Sequence, residues 1–196
     1  MTRIIAGTAK GHRLQVPRTG TRPTADRVRE AMFSSITSWL SARSRTWSQV
    51  AVLDLFAGSG ALGLEAASRG AALAVLVERS ERAAALIRRN AAACRLDQVR
   101  VLAASATALP ARRIDLPAYD LPPFDLCLAD PPYDLPALRL RAALGSIAAD
   151  WLLPDALLVV ERPTGESDCP LPDQWAVIDQ RRYGDTCLWY GHRQAG

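Results

Sequence analysis

The chain has 196 residues, 24 of them Lys or Arg against 20 Asp or Glu, with 49% apolar and 22% charged residues. That composition buries a sizeable core, which excludes wholesale disorder, and the length fits one domain with at most a small appendage. No apolar run approaches the ~20 residues of a membrane span and the start MTRIIAGTAKGHR lacks a signal-peptide core, so a soluble, cytoplasmic protein is expected. Cys94, Cys127, Cys169 and Cys187 are scattered without CxxC spacing. They suggest neither a zinc site nor a disulfide framework, and reduced packing residues are expected.

Charge is divided unevenly. Residues 1–45 hold nine bases and two acids, a net +7, whereas the remainder is net −3. A basic first quarter on a mildly acidic body points to a polyanion partner such as nucleic acid. The plainer alternative is an Arg-rich surface, since 23 of the 24 bases are Arg.

In chain order, RIIAGTAKGHRLQV places Gly7 and Gly11 between short β-prone pieces and predicts a hairpin or small sheet. After the turn PRTGTRPT, Thr24 suits a helix N-cap and Asp26 the positive first turn. Val28, Met32, Ile36 and Leu40 then repeat along one face, predicting a helix of about four turns with Arg27, Arg29, Glu30 and Ser34 off its apolar stripe. From Val50 the runs VAVLDLF, LAVLVE, VRVLA, FDLCLAD and ALLVVE read as buried strands. Between them, 61–69, 81–95 and about 135–151 read as helices. That alternation predicts an α/β fold with a mainly parallel sheet covered on both faces. Pro117, Pro122 and Pro123 mark a loop before the fourth run, and QWAVIDQRRYGDTCLWYGHR predicts a hairpin that gives the sheet an antiparallel edge.

The first strand runs into Asp54-Leu55-Phe56-Ala57-Gly58-Ser59-Gly60-Ala61-Leu62-Gly63, where the glycines satisfy GxGxxG between a strand and a helix. Glycine there permits a tight turn and close approach of a ligand to the backbone. Alone the pattern is weak, because small-residue turns also serve packing. Glu78 ends the second strand, where an acid accepts hydrogen bonds from a ribose diol of any adenosine-type cofactor. Asp54 discriminates further, since its carboxylate repels a pyrophosphate and attracts a cation. S-adenosylmethionine carries a sulfonium and an amino group and no phosphate. The competing role for Asp54 is a carboxylate that caps a helix or braces the loop.

The fourth strand enters Asp130-Pro131-Pro132-Tyr133. Two prolines donate no backbone hydrogen bond and stop the strand, so their carbonyls can turn toward a ligand. The group suits methylation of an exocyclic base amine, whose lone pair is delocalised into the ring. An ionised Asp130 accepts only, and with the Pro131 carbonyl it can hold both N–H groups and orient the lone pair. Tyr133 can stack on a base lifted from its helix or presented in a loop. The bland alternative is a proline turn with a packed tyrosine.

The stretches RIIAGTAKGHRLQVP, TRPTADRVREAMF, VLDLFAGSGALGLEAASRGA, LADPPYD and YGDTCLWY, in this order, resemble the RsmD-type methyltransferases that modify a guanine N2 of bacterial small-subunit ribosomal RNA. The resemblance spans nearly the whole chain. It implies a class I methyltransferase fold, Rossmann-like, with S-adenosylmethionine as donor and a basic N-terminal RNA-binding extension over 1–45 before a methyltransferase domain over 46–196. The implied substrate is ribosomal RNA within the small subunit or its assembly intermediate. Separately, a monomer with no metal and no membrane partner is expected. By position, Asp54, Ala57, Gly58, Gly60 and Glu78 belong to the donor site, with Ser105 and Ala106 over the adenine and Thr24 nearby. Asp130, Pro131, Pro132 and Tyr133 form the implied catalytic group. Arg3, Lys10, Arg13, Arg18, Arg22, Arg27 and Arg29 are the expected RNA contacts, positioning phosphates without reading sequence. For Arg27 and Arg29 an ion pair with Glu30 is an equal alternative.

Competing functions are an adenine-N6 DNA methyltransferase, which uses the same proline motif, a dinucleotide-dependent oxidoreductase, and a catalytically silent RNA-binding assembly factor. A chain of 196 residues leaves little room for a separate DNA-reading domain.

Overall fold

Buried strands with continuous apolar sequence and short helices between them leave one arrangement that covers both sheet faces. The computed structural model describes residues 2–16, 26–116, 120–166 and 168–193, with residue 114 described by its backbone alone. The elements are β1 (Thr2–Arg3), β2 (Arg13–Leu14), α1 (Asp26–Ser41), β3 (Ala51–Asp54), α2 (Ala61–Ser68), β4 (Leu73–Glu78), α3 (Glu81–Ala93), β5 (Val99–Ala103), β6 (Phe124–Ala129), α4 (Ala137–Ala148), β7 (Leu152–Pro163), β8 (Trp175–Tyr183) and β9 (Thr186–Arg193).

The sheet runs β5-β4-β3-β6-β7-β9-β8. Its β3–β4, β4–β5, β3–β6 and β6–β7 pairs are parallel, and β7–β9 and β8–β9 are antiparallel. The C-terminal hairpin thus forms as expected, and β9 inserts between β7 and β8 so that β8 is the edge. β7 begins at Leu152, earlier than its apolar run, because a register shift opposite Phe124 and Leu126 lets the exposed Pro154 and Asp155 bulge out. Strand order reverses between β3 and β6, the switch point at whose carboxyl ends open α/β sheets bind ligands.

On one face Leu53, Val75, Cys127, Leu158 and Val160 pack with Leu140, Leu144 and Ile147 of α4 and with the buried Trp151. On the other, Val52, Leu126, Leu128, Leu157 and Val159 meet Val28, Met32, Phe33, Ile36 and Leu40 of α1. The helix N-terminal to residue 45 is therefore one of the layers that cover the sheet. A third cluster joins Leu76 of β4 and Ile87 of α3 to Ile4, Ala9 and Leu14 of the N-terminal hairpin. All four cysteines are free.

The hairpin is pinned to α2 by buried polar groups. Glu65 accepts from Ile5 N at 2.7 Å and Ala6 N at 3.0 Å, and Ser68 Oγ accepts from Ala9 N and donates to Ala6 O. Gly7 (φ 85°) lies so close to α2 that a Cβ would fall 1.7 Å from the Ser68 carbonyl oxygen. Asn90 of α3 holds the other arm, accepting from Gln15 N and donating to Gln15 O.

Candidate active site

Asp54 ends β3, and the chain then turns through Gly58 (φ 55°) and Gly60 (φ 83°) into α2. These left-handed conformations are open to glycine at little cost. The turn is held by Ala57 N donating to Val77 O at 3.0 Å and Gly60 N donating to Ala57 O at 2.6 Å. Gly63 has a different reason: a Cβ there would lie 2.5 Å from the Leu76 side chain, so its absence lets α2 settle onto β4.

Asp54 is buried beneath this turn. Its Oδ2 accepts from Gly63 N at 2.9 Å, while its buried Oδ1 makes no hydrogen bond. Burial pushes its pKa up to about 7, opposed by the hydrogen bond from Gly63 N and helped by the nearby charges of Asp130 and Glu78. Asp54 therefore braces the loop with one oxygen and leaves the other unspent. Glu78, at the end of β4, accepts from Gly58 N at 2.9 Å through Oε2 and from Ser80 N at 2.8 Å through Oε1. This fixes the carboxylate at the glycine turn with lone pairs to spare.

A single cleft of about 920 Å³ opens across the carboxyl ends of the parallel strands. Ala57, Gly58, Glu78, Ser105, Ala106, Asp130, Pro131, Pro132 and Tyr133 all line it. Asp54 and Gly60 lie beneath that lining, both buried. Ser105 Oγ pairs with Thr107 Oγ1 at 3.1 Å, so it presents a hydroxyl and no acid on the β5 side. Tyr133 is 40% exposed, a large ring on the cleft wall rather than a packed core residue. Among the described residues no group of three or more His, Cys, Asp or Glu is placed to hold a metal.

The basic residues separate. Arg3, Lys10 and Arg13 are exposed on the hairpin and Arg27 is exposed on α1. Thr24, Arg18 and Arg22 lie outside the described residues. Arg29 is corrected. It is 0% exposed, and its Nη2 donates to the Arg3 carbonyl and to Asp26 Oδ1, so it ties α1 to the hairpin and reaches neither the surface nor Glu30. Burial lowers its pKa, opposed by the charges of Asp26 and Glu65.

Two residues escaped the sequence reading. Glu161 is buried and lines the cleft from β7, next to the strand that carries Asp130. An acid closing the apolar run ALLVVE was the available signal. Arg162 is the other, with its head group under the proline loop.

Comparison with known proteins matches residues 2–192 to the family described as Conserved hypothetical protein 95. The chain is 32% identical over 194 residues to the Ribosomal RNA small subunit methyltransferase D of Escherichia coli (strain K12), covering 98% of this chain and 90% of that one. It is also 32% identical over 187 residues to the protein of the same name from Haemophilus influenzae, covering 93% and 89%. The solved structure of the Escherichia coli protein yhhF superposes with a TM-score of 0.80 at 32% identity, covering 99% of this chain and 98% of that one. A Salinibacter ruber RNA methyltransferase in complex with S-adenosyl-L-homocysteine shares the fold, with a TM-score of 0.62 at 15% identity over 88% of this chain and 94% of that one. With a family model spanning almost the whole sequence and full-length relatives of one name, the chain belongs to the RsmD family of methyltransferases.

Proposed function

We propose that this enzyme methylates the N2 amine of a guanine in small-subunit ribosomal RNA, with S-adenosylmethionine as donor. The observation that carries the reading is one cleft in which the glycine turn and Glu78 face Asp130-Pro131-Pro132-Tyr133 across the sheet's switch point. The choice of ribosomal RNA follows the printed name of the relatives, and the choice of guanine N2 follows the resemblance of the sequence motifs to the RsmD-type methyltransferases.

The residues present fit the donor. Asp54 Oδ1 is a buried acceptor with no hydrogen bond, beside a turn whose glycines allow close approach, and a cationic ligand is the partner that favours its charged form. Glu78 would receive the ribose hydroxyls, and Ser105 with the Ala106 backbone would border the adenine. A pyrophosphate would meet the charges of Asp54, Glu78 and Asp130 together, which disfavours a dinucleotide. When bound, the donor supplies an electrophilic methyl carbon: the amine nitrogen bonds to it as the carbon–sulfur bond breaks, leaving a neutral thioether and, after proton loss, a methylamine.

The rest is positioning. Asp130 and the Pro131 carbonyl hold the amine's N–H groups, so its lone pair points across the cleft. Tyr133 stacks on the extruded base, a contact worth about 1–3 kcal/mol in single-strand binding. The exposed Arg3, Lys10, Arg13 and Arg27, with Arg18 and Arg22, grip phosphates. In this reading the enzyme acts as a cytoplasmic monomer on the small subunit or its assembly intermediate.

The test is incubation with labelled donor and, separately, small subunits, free ribosomal RNA and duplex DNA. Label is expected at a guanine N2 of the small-subunit RNA, and Asp130→Ala should lose at least about a hundredfold in rate with RNA affinity unchanged. Label confined to duplex DNA would overturn the substrate, and parental turnover by Asp130→Ala would overturn the site.

A further inference from the structure

The segment from Asp130 to Pro136 contains three prolines, at 131, 132 and 136, so three of its seven backbone positions lack an N–H. Within it, Leu135 N donates to Pro132 O at 3.0 Å. A loop this poor in donors is held from outside or is loose.

Arg162 supplies the outside donors. Position 162 follows Leu158 and Val160 along the β7 face that builds the α4-side core, where an apolar side chain is the ordinary occupant. An arginine stands there instead, with its side chain 1% exposed. Its Nη2 donates to the Leu135 carbonyl at 2.9 Å, and Nη1 reaches the Pro132 carbonyl at 3.4 Å. Glu166 neutralises it through a two-point pair, Nε to Oε2 at 2.6 Å and Nη2 to Oε1. A planar guanidinium grips a carboxylate on one edge and carbonyls on another, which an ammonium does not do. Buried ion pairs are weak sources of net stability: replacing both partners by apolar residues is often neutral, although removing one alone is costly. What the charge adds at this place is a fixed geometry for the two loop carbonyls.

We propose that Arg162, fixed by Glu166, is a positioning residue for methyl transfer. It holds Pro132 and Leu135 so that the Pro131 carbonyl and Asp130 stay aimed at the amine. The proposal rests on the assignment of Asp130–Tyr133 to the reacting amine.

The test separates stability from turnover. Arg162→Met keeps the length and the apolar stem, and Arg162→Lys keeps the charge without the fork. Because small misplacements in an active site can cost up to about a hundredfold, kcat of Arg162→Met should fall at least about tenfold. The unfolding midpoint of Arg162→Met should fall, because Glu166 and two carbonyls lose their donor, so kcat is read well below that midpoint. Donor affinity by calorimetry and KM for small subunits should stay near parental values, and Arg162→Lys should recover part of kcat. A folded Arg162→Met protein with parental kcat overturns the proposal. If that variant does not fold, Arg162→Lys and Glu166→Gln decide: a several-fold loss of kcat at unchanged KM supports it, and parental kcat in both overturns it. Asp130→Ala is assayed alongside. Its parental turnover would show that the site assignment has failed, whereas an inactive Asp130→Ala beside a fully active Arg162→Met removes the brace alone.

Discussion

Asp54 has one oxygen committed to Gly63 N and the other buried without a hydrogen bond, and this division sets a pH dependence. Its pKa of about 7 in the folded chain lies above the ordinary 3.8 because burial disfavours the anion. The folded state therefore holds a proton that the unfolded state releases. The associated stability is full below pH ~4 and is lost as pH rises through about 7. A cationic donor reverses the preference, since it favours the anion. Donor binding near pH 6 should release a proton, and affinity should rise with pH and level off above about 7. Asp54→Asn keeps an acceptor for Gly63 N and has no charge to titrate. It should bind the donor more weakly with no such pH dependence, and it should unfold with a flatter pH profile between 4 and 7. Calorimetry in two buffers of different ionisation enthalpy measures the proton count, and equal heats in both would remove Asp54 from the donor site.

The docking of the N-terminal hairpin is a contact between elements, and Gly7 is its tightest point. Gly7→Ala would drive a methyl into the Ser68 carbonyl and should release the hairpin from α2 while the sheet stays folded. Amide exchange should accelerate at Ile5, Ala6 and Thr8, whose N–H groups now bond to α2, and RNA binding should weaken with donor binding intact. Unchanged exchange at those amides would show that α2 gives way instead. This docking could not be read from the sequence, because Glu65 and Ser68 look like the polar face of a helix until the hairpin lies on them. β4 and β5, by contrast, fall on the runs LAVLVE and VRVLA, since strands buried on both faces leave an unbroken apolar signal. Gly58, Glu78 and Asp130 were legible because each sits where an apolar strand meets glycine, acid or proline. Arg29 misled because the stripe read from Val28, Met32, Ile36 and Leu40 is too narrow. Phe33 is buried as well, and Arg29 lies one turn before it on the widened face. Arg162 was hidden because its partners, Pro132 and Leu135, come from another strand's loop.

Across the whole molecule, the exposed bases of the hairpin and the strand-end residues of the cleft occupy different elements joined at one edge of the cleft. Val16, just beyond β2, lines the cleft, so the hairpin that bears Arg3, Lys10 and Arg13 leads directly to its mouth. On the proposed function, RNA along the hairpin would be held by charge while the base is placed by the strand ends. The two contributions are separable by salt. Each phosphate neutralised contributes about −0.7 to −0.9 to the slope of log affinity against log salt, so replacing Arg3, Lys10 and Arg13 together should flatten that slope by about 2 to 3. Arg3 also pairs with Asp26 at 3.4 Å, but with its side chain 65% exposed that contact adds little stability, and the triple variant should stay folded. At saturating RNA its kcat should match the parent, because none of the three lines the cleft. An unchanged salt slope with parental affinity would take the hairpin out of the interface, and a fall in kcat at saturation would mean that it orients the base as well as gripping the backbone.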